Sequence, residues 1–419
     1  MSTSRAAEFS HEIPRLLGVL GRGSEGLNWP EGEWDWKPFA RACDDHQVTA
    51  FVYCRLKNMR GTAPPDLLEH LRRRFYAISA RNYALAKKLV DLTSLLQGEG
   101  IPVLAYKGPA VAMAVYGDLT LRQYTDLDVV VRKEDLVKAV RVLTSRGFEP
   151  QPSFGRPQMT PYWCRPENPR HVGMAQEIPF RAPDKTYFVD LHWQLGYAFW
   201  RPFGPDVEGA WNRVAEQDIG PGRVSTFCRE DLFLALCYHG TTHRWGILKW
   251  MLDIAQLLQE ADKFDWSRIE EMIRDRPGAR ASASLGVLLA HEMLEAPIPV
   301  EALRILPATS RIHALAAAIR EEILLYGKSS GSDHATLLQL ETNSLVLLKY
   351  YAVWLFRYPV GLFREVFVQV NSKDRAIVAL PGSMRYLYHL IRPLRLAVKH
   401  SLRVVRELGW TAGRTKVSS

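Results

Sequence analysis

The sequence predicts an α+β fold, a compact αβ unit set within mostly helical surroundings. Three observations predict it. Pro65 to Leu92 spaces its apolar residues at near-helical intervals, with no proline after its start. Ile101-Pro-Val-Leu-Ala-Tyr106 and Asp126-Leu-Asp-Val-Val-Val131 are short runs with strand chemistry. From about residue 229 to 345 the pattern is helical again. The chain therefore reads as an N-terminal helical region (1–95), the αβ unit (96–225), a helical domain (226–345) and a C-terminal segment (346–419).

Each element has a local reason. The basic positions Arg72, Arg73, Arg74, Lys87 and Lys88 of the first long helix read as a solvated face. Ile101–Tyr106 follows Gly98 and Gly100 and reads as a buried strand. Lys107-Gly108-Pro109 comes next, with proline where a helix would start and Ala110 to Tyr116 continuing it. Asp126–Val131 alternates and then runs β-branched. Lys133 to Ser145 is an amphipathic helix closed by Gly147. Residues 170–194 hold two further strands joined by the turn-like Ala182-Pro-Asp-Lys185, the second carrying Tyr187-Phe-Val-Asp-Leu-His192. Glu230-Asp231 can start a helix, and Gly278 and Pro297 to Pro299 interrupt the helical run.

Composition narrows the class. With 419 residues, 47% hydrophobic and 24% charged, the chain is neither disordered, collagen-like nor a coiled coil. Its five cysteines, Cys43, Cys54, Cys164, Cys228 and Cys237, are odd in number, widely spaced and without a CxxC pair. That argues against a disulfide scaffold and a cysteine zinc site and favours a reducing compartment. The N-terminal MSTSRAAEFSHEIPRLL lacks the apolar core of a signal peptide. The longest run free of Asp, Glu, Lys and Arg is Leu232 to His243, 12 residues, against the roughly 20 a membrane span needs. A cytoplasmic location is the expectation. The net charge of +9 is uneven, since residues 346–419 hold 13 Lys/Arg and 3 Asp/Glu. The body of the chain is electrically ordinary.

The carboxylates carry the chemistry. Asp126 and Asp128 stand at i and i+2 of a strand and so share a face. Like charges held that close call for a cation between them, and magnesium takes one or two carboxylates plus substrate phosphates. Asp190 lies on a later strand, and three carboxylates on neighbouring strands would make a two-metal site for in-line displacement at phosphorus. Upstream, Lys107-Gly108 sits at a strand-to-helix turn, where free N–H groups and the helix dipole favour phosphate.

Leu104-Ala-Tyr-Lys-Gly108, Leu121-Arg-Gln-Tyr-Thr-Asp-Leu-Asp-Val-Val130 and Val189-Asp-Leu-His-Trp193 resemble the bacterial proteins of the uncharacterised nucleotidyltransferase family. That family lies within the DNA-polymerase-β-like nucleotidyltransferase superfamily. Leu236-Cys-Tyr-His-Gly-Thr-Thr-His-Arg-Trp245 with Leu248-Lys-Trp-Met-Leu-Asp253 looks like its helical His segment. Asp374, Leu380-Pro381, Tyr386-Leu-Tyr388 and Ile391-Arg-Pro-Leu-Arg395 look like its closing segment. The likeness spans roughly residues 30–400. It implies a small mixed-sheet nucleotidyltransferase core and magnesium-dependent transfer from a nucleoside triphosphate, with two ions, to an acceptor it does not name. By position, Asp126 and Asp128 would hold the metals and Asp190 would complete the site. Lys107 and Gly108 would stand where the superfamily's Gly-Ser turn meets the nucleotide phosphates. Pro109 replaces the serine, so Lys107 or Arg122 would grip phosphate through charge. The alternative is an inactive nucleotide-binding or interaction protein on the same scaffold.

Other residues stay open on sequence. Arg122 is either a salt-bridge partner of the acidic pair or a neutraliser of triphosphate charge. His192 shares a strand face with Asp190, where it would orient a metal ligand or water. His239 and His243 form either a polar core pair or part of the cleft wall; HGTTH lacks the glutamate of a zinc-protease helix. Tyr116 and Trp245 read as core. In the C-terminal segment, Leu387, Ile391, Leu394, Val398, Leu402, Val405 and Leu408 form a helical stripe flanked by Arg392, Arg395, Lys399, Arg403 and Arg406. Such a helix packs on the body, meets an anionic membrane surface or grips an acidic partner. Nucleic acid is not excluded as that partner.

Overall fold

The computed structural model describes residues 12–21, 29, 34–59, 63–151, 176–196, 204–329 and 333–340. The chain divides into two compact units, 1–340 and 341–419. Everything described belongs to the first. The basic C-terminal segment and its helical stripe lie outside the described residues.

Four helices come first: α1 (Glu12–Leu20), α2 (Lys37–Asp45), α3 (Thr49–Asn58) and α4 (Pro65–Gly98). α4 runs for 34 residues, with proline at its first position and Asp66 in its first turn, both favourable at a helix start. It buries Leu67, Leu71, Ile78, Leu85, Leu89, Leu92 and Leu96, one stripe at three- and four-residue spacing. The sheet unit follows as β1 (Val103–Ala105), α5 (Pro109–Tyr116), β2 (Asp126–Val131), α6 (Leu136–Ser145), β3 (Glu149–Pro150), β4 (Glu177–Arg181), β5 (Phe188–His192), α7 (Val207–Ala210), β6 (Val214–Asp218) and β7 (Arg223–Phe227). Helices complete the unit: α8 (Arg229–Thr242), α9 (Leu248–Gln259), α10 (Trp266–Ile273), α11 (Pro277–Leu294), α12 (Val300–Ile305), α13 (Ser310–Tyr326) and α14 (Asp333–Leu340). The fold is α+β.

The seven strands form one mixed sheet in the order β3-β4-β5-β2-β1-β7-β6. β2 pairs with β5 in parallel and with β1 antiparallel. Alternation sorts the central strands into two faces. Leu127, Val129 and Val131 of β2 join Val189 and Leu191 of β5 in the core, beneath Leu89, Leu92 and Leu96 of α4 and Leu136, Val140 and Leu143 of α6. Each such side chain contributes roughly 1.5–3 kcal/mol when fully buried. The other face carries Asp126, Asp128, Asp190 and His192.

Two details depart from the sequence reading. The β6–β7 hairpin extends the sheet where no strand was predicted; β6 alternates exposed and half-buried residues and has no apolar run to reveal it. Gly278 does not interrupt a helix, because α11 starts at Pro277 and takes Gly278 into its buried first turn. Among the described residues, no helix is long and apolar enough to cross a membrane.

Candidate active site

The parallel register sets Asp128 opposite Asp190 and Leu127 opposite Val189. Both carboxylates therefore point to the face that the core does not use. One ligand atom from each of Asp128, Asp190 and His192 can be chosen so that all three lie within 4.8 Å of one another. Asp126 sits on the same face two residues earlier and falls outside that group.

Asp128 is 4% exposed. Its Oδ1 accepts from Lys107 Nζ at 3.0 Å and lies 3.0 Å from His192 Nε2. Burial pushes the Asp128 carboxyl up, but the Lys107 charge and the His192 hydrogen bond outweigh it and hold it below the usual carboxylate range. Among the described residues Asp190 has no such hydrogen-bond or ion-pair partner. Burial, then the charges of Asp128 and Glu177, push it well above that range. Asp126 is also raised, first by burial and next by Asp128, with Lys107 and Lys249 opposing. Burial alone would lower His192; its bond to Asp128 and the charge of Glu177, whose Oε2 lies 3.3 Å from Nδ1, raise it. Burial likewise pulls Lys107 down while Asp128 leads the charges that keep it protonated.

Gly108 makes the turn that delivers Lys107. Its φ of 57° is left-handed, and a Cβ there would meet the Asp126 carbonyl oxygen at 3.4 Å. Glycine is the residue that fits such a site. α5 starts one residue later, so its first peptide N–H groups stand beside the acidic strand. Tyr106 places its ring edge-on to His192, centroids 5.7 Å apart.

The remaining sequence candidates divide. Arg122 does not pair with the acidic strand. Its guanidinium binds Asp253 of α9, Nε to Oδ1 at 2.9 Å and Nη2 to Oδ2 at 2.9 Å, and is 3% exposed. Tyr116 donates to the same Asp253 at 2.7 Å. His239 and His243 do come together, rings 4.6 Å apart, each also against Trp250. His239 is half-buried, and burial, then the charge of Lys107, lowers it well below the usual histidine range. Trp245 is fully buried core. Glu177 was missed: β4 sets it opposite His192. Its signal was the alternation of Glu177-Ile-Pro-Phe-Arg181, obscured by a proline inside a strand.

The mixed sheet thus sets two carboxylates in register on neighbouring strands, beside a Lys-Gly turn and the short helix that follows it. Residues 32–295 match the family described as uncharacterised nucleotidyltransferase, and the chain belongs to that family. Among solved structures it is similar to an antigenic nucleotidyltransferase-like protein from Paracoccidioides brasiliensis, at 17% identity, covering 48% of this chain and 91% of that one with a TM-score of 0.28. No curated protein sequence matches it.

Proposed function

We propose that the protein moves a nucleotidyl group from a nucleoside triphosphate to an acceptor hydroxyl, forming the acceptor O–Pα bond and releasing pyrophosphate, using magnesium that Asp128 and Asp190 would hold with Asp126 beside them. The observation that carries this is the in-register pairing of Asp128 with Asp190 on one face of the sheet. The donor set suits a hard cation. Asp128 is buried and Asp126 and Asp190 half-buried on one face, Glu177 adds a further negative charge, and burial with the charges of Asp128 and Glu177 pushes Asp190 up. Two magnesium ions bound there would neutralise phosphate charge and clamp the attacking and leaving oxygens.

The chain's own residues do the rest. Lys107 brings a positive charge to the start of α5, whose N–H groups favour phosphate. His192 orients the Asp128 carboxylate through Nε2. Asp190 Oδ accepts the proton of the acceptor hydroxyl. Catalysis is then mostly positioning and charge neutralisation. The reaction belongs in the cytoplasm, and the +10 balance of residues 346–419, from 13 basic and 3 acidic side chains, is the candidate contact for an anionic acceptor or surface.

The test is incubation with each α-labelled nucleoside triphosphate, magnesium and cell extract. Label on any acceptor supports the reading, and no transfer from any of them refutes it. A second reading, nucleotide binding without catalysis, draws on Pro109 in place of the superfamily serine and on Lys107 already neutralising Asp128. Nucleotide retained unreacted would favour it.

A further inference from the structure

We propose that Lys249 forms a phosphate-binding subsite of this cleft, taking the polyphosphate tail of the nucleotide. The inference rests on the nucleotide reading above. It starts from an imbalance of charge. Among the described residues three cations stand around the acidic strand, Lys107 half-buried and Arg122 and Lys249 buried. Lys107 has Asp128 and Arg122 has Asp253. Lys249, the second residue of α9 and 8% exposed, has neither. Its Nζ donates to two neutral acceptors, Gln47 Oε1 and the Gln123 carbonyl at 3.1 Å. Among the described residues no carboxylate lies within ion-pair distance of it.

An uncompensated buried ammonium is costly and persists where something else requires it. Burial, then the charges of Arg122 and Lys107, push Lys249 down to about 7, against the pull of Asp253 and Asp126. An arriving polyanion would supply the missing counter-charge.

The surroundings hold the ammonium in place. Gln47 adopts φ 56°, a left-handed conformation uncommon outside glycine. Its neighbour His46 accepts the Leu248 N–H through Nδ1 at 3.1 Å, fixing the first turn of α9. Arg244 and Trp245, just before α9, also have positive φ, 50° and 52°, and Glu322 grips Arg244 at 3.0 and 2.6 Å. Gln123 precedes Asp126 by three residues, so the ammonium stands where the loop enters the acidic strand. The Gln123 side-chain oxygen is buried there with no donor among the described residues.

The competing account makes Lys249 a clasp between the 46–48 turn and the loop before β2. Calorimetry with tripolyphosphate, the four ribonucleoside triphosphates and the free nucleosides separates the two. Lys249→Met is expected to weaken tripolyphosphate and nucleotide binding alike, about tenfold or more, leave nucleoside binding unchanged, and unfold at or above the wild-type midpoint. Gln47→Gly, which suits φ 56° and keeps the charge, is expected to give a smaller loss with the same ligand pattern. Unchanged tripolyphosphate affinity in Lys249→Met, or in Gln47→Gly should the first variant fail to fold, overturns the inference and leaves the nucleotide reading standing. Wild-type protein that binds tripolyphosphate but no nucleotide keeps the subsite and removes that reading. Wild-type protein that binds neither removes both.

Discussion

Asp253→Asn should destabilise the protein far more than an ordinary polar substitution. The Arg122 guanidinium reaches both oxygens of Asp253, with Nε–Oδ1 and Nη2–Oδ2 at 2.9 Å, and the side chains are 3% and 0% exposed. Truncating one member of such a pair strands the other as an unpaired buried charge, at a cost of about 3–5 kcal/mol. Removing both charges is close to neutral when the volume is kept. The cycle is best built on Tyr116→Phe, because the Tyr116 hydroxyl also donates to Asp253 and would be left without an acceptor. Urea unfolding followed by tryptophan fluorescence then compares Arg122→Met, Asp253→Leu and the double variant. Each single should lose several kcal/mol and the double should recover most of it. A loss under about 1 kcal/mol, the worth of an exposed pair, or a double variant as unstable as the summed singles, would refute the reasoning. The same cycle tests Arg122 as a phosphate contact: in that role Asp253→Leu would spare stability and change nucleotide affinity alone.

Asp128→Asn keeps the shape but not the charge a hard cation needs; label transfer should fall to background while far-UV circular dichroism stays native. Burial holds His46 neutral down to about 4, against 6.5 when unfolded. Between those values the unfolded chain binds a proton the folded chain refuses, so this stability is present above pH 6.5 and is lost as pH falls toward 4, up to about 3 kcal/mol. His46→Asn, which keeps an acceptor for the Leu248 N–H, should flatten that part of the curve, and an unaltered slope would count against it. Gly240→Ala would put a Cβ 2.6 Å from the fully buried Trp245 ring. Overpacking of that kind costs about 1–3 kcal/mol, read as a lowered urea midpoint; a wild-type midpoint would mean the ring has room to move.

The acidic face was legible because local alternation decides it. Leu127, Val129 and Val131 claim the core, so Asp126 and Asp128 had to face the other way. Proline after Lys107-Gly108 marked the start of α5 in the same local manner. What the sequence hid was of two kinds. β6 exposes both its faces in part, so only Gly220-Pro221-Gly222 hinted at a hairpin. The other kind is distance along the chain. Arg122 lies four residues from Asp126 yet pairs with Asp253, 131 positions away, and Lys249 meets Gln47 across 202. No local pattern carries such a partner, because the packing of α9 against α5 chooses it.

The pairing of Asp128 with Asp190 depends on parity. Deleting one residue within β2 would behave like a frameshift in side-chain space. A valine would be turned out into the cleft, and a carboxylate would be driven in among Val189 and Leu191. Deleting two would shorten the strand but return every side chain to its own face. Relatives that keep this chemistry are therefore free to vary in length between the strands, while inside β2 and β5 an odd change in length abolishes the site even if every acidic residue survives.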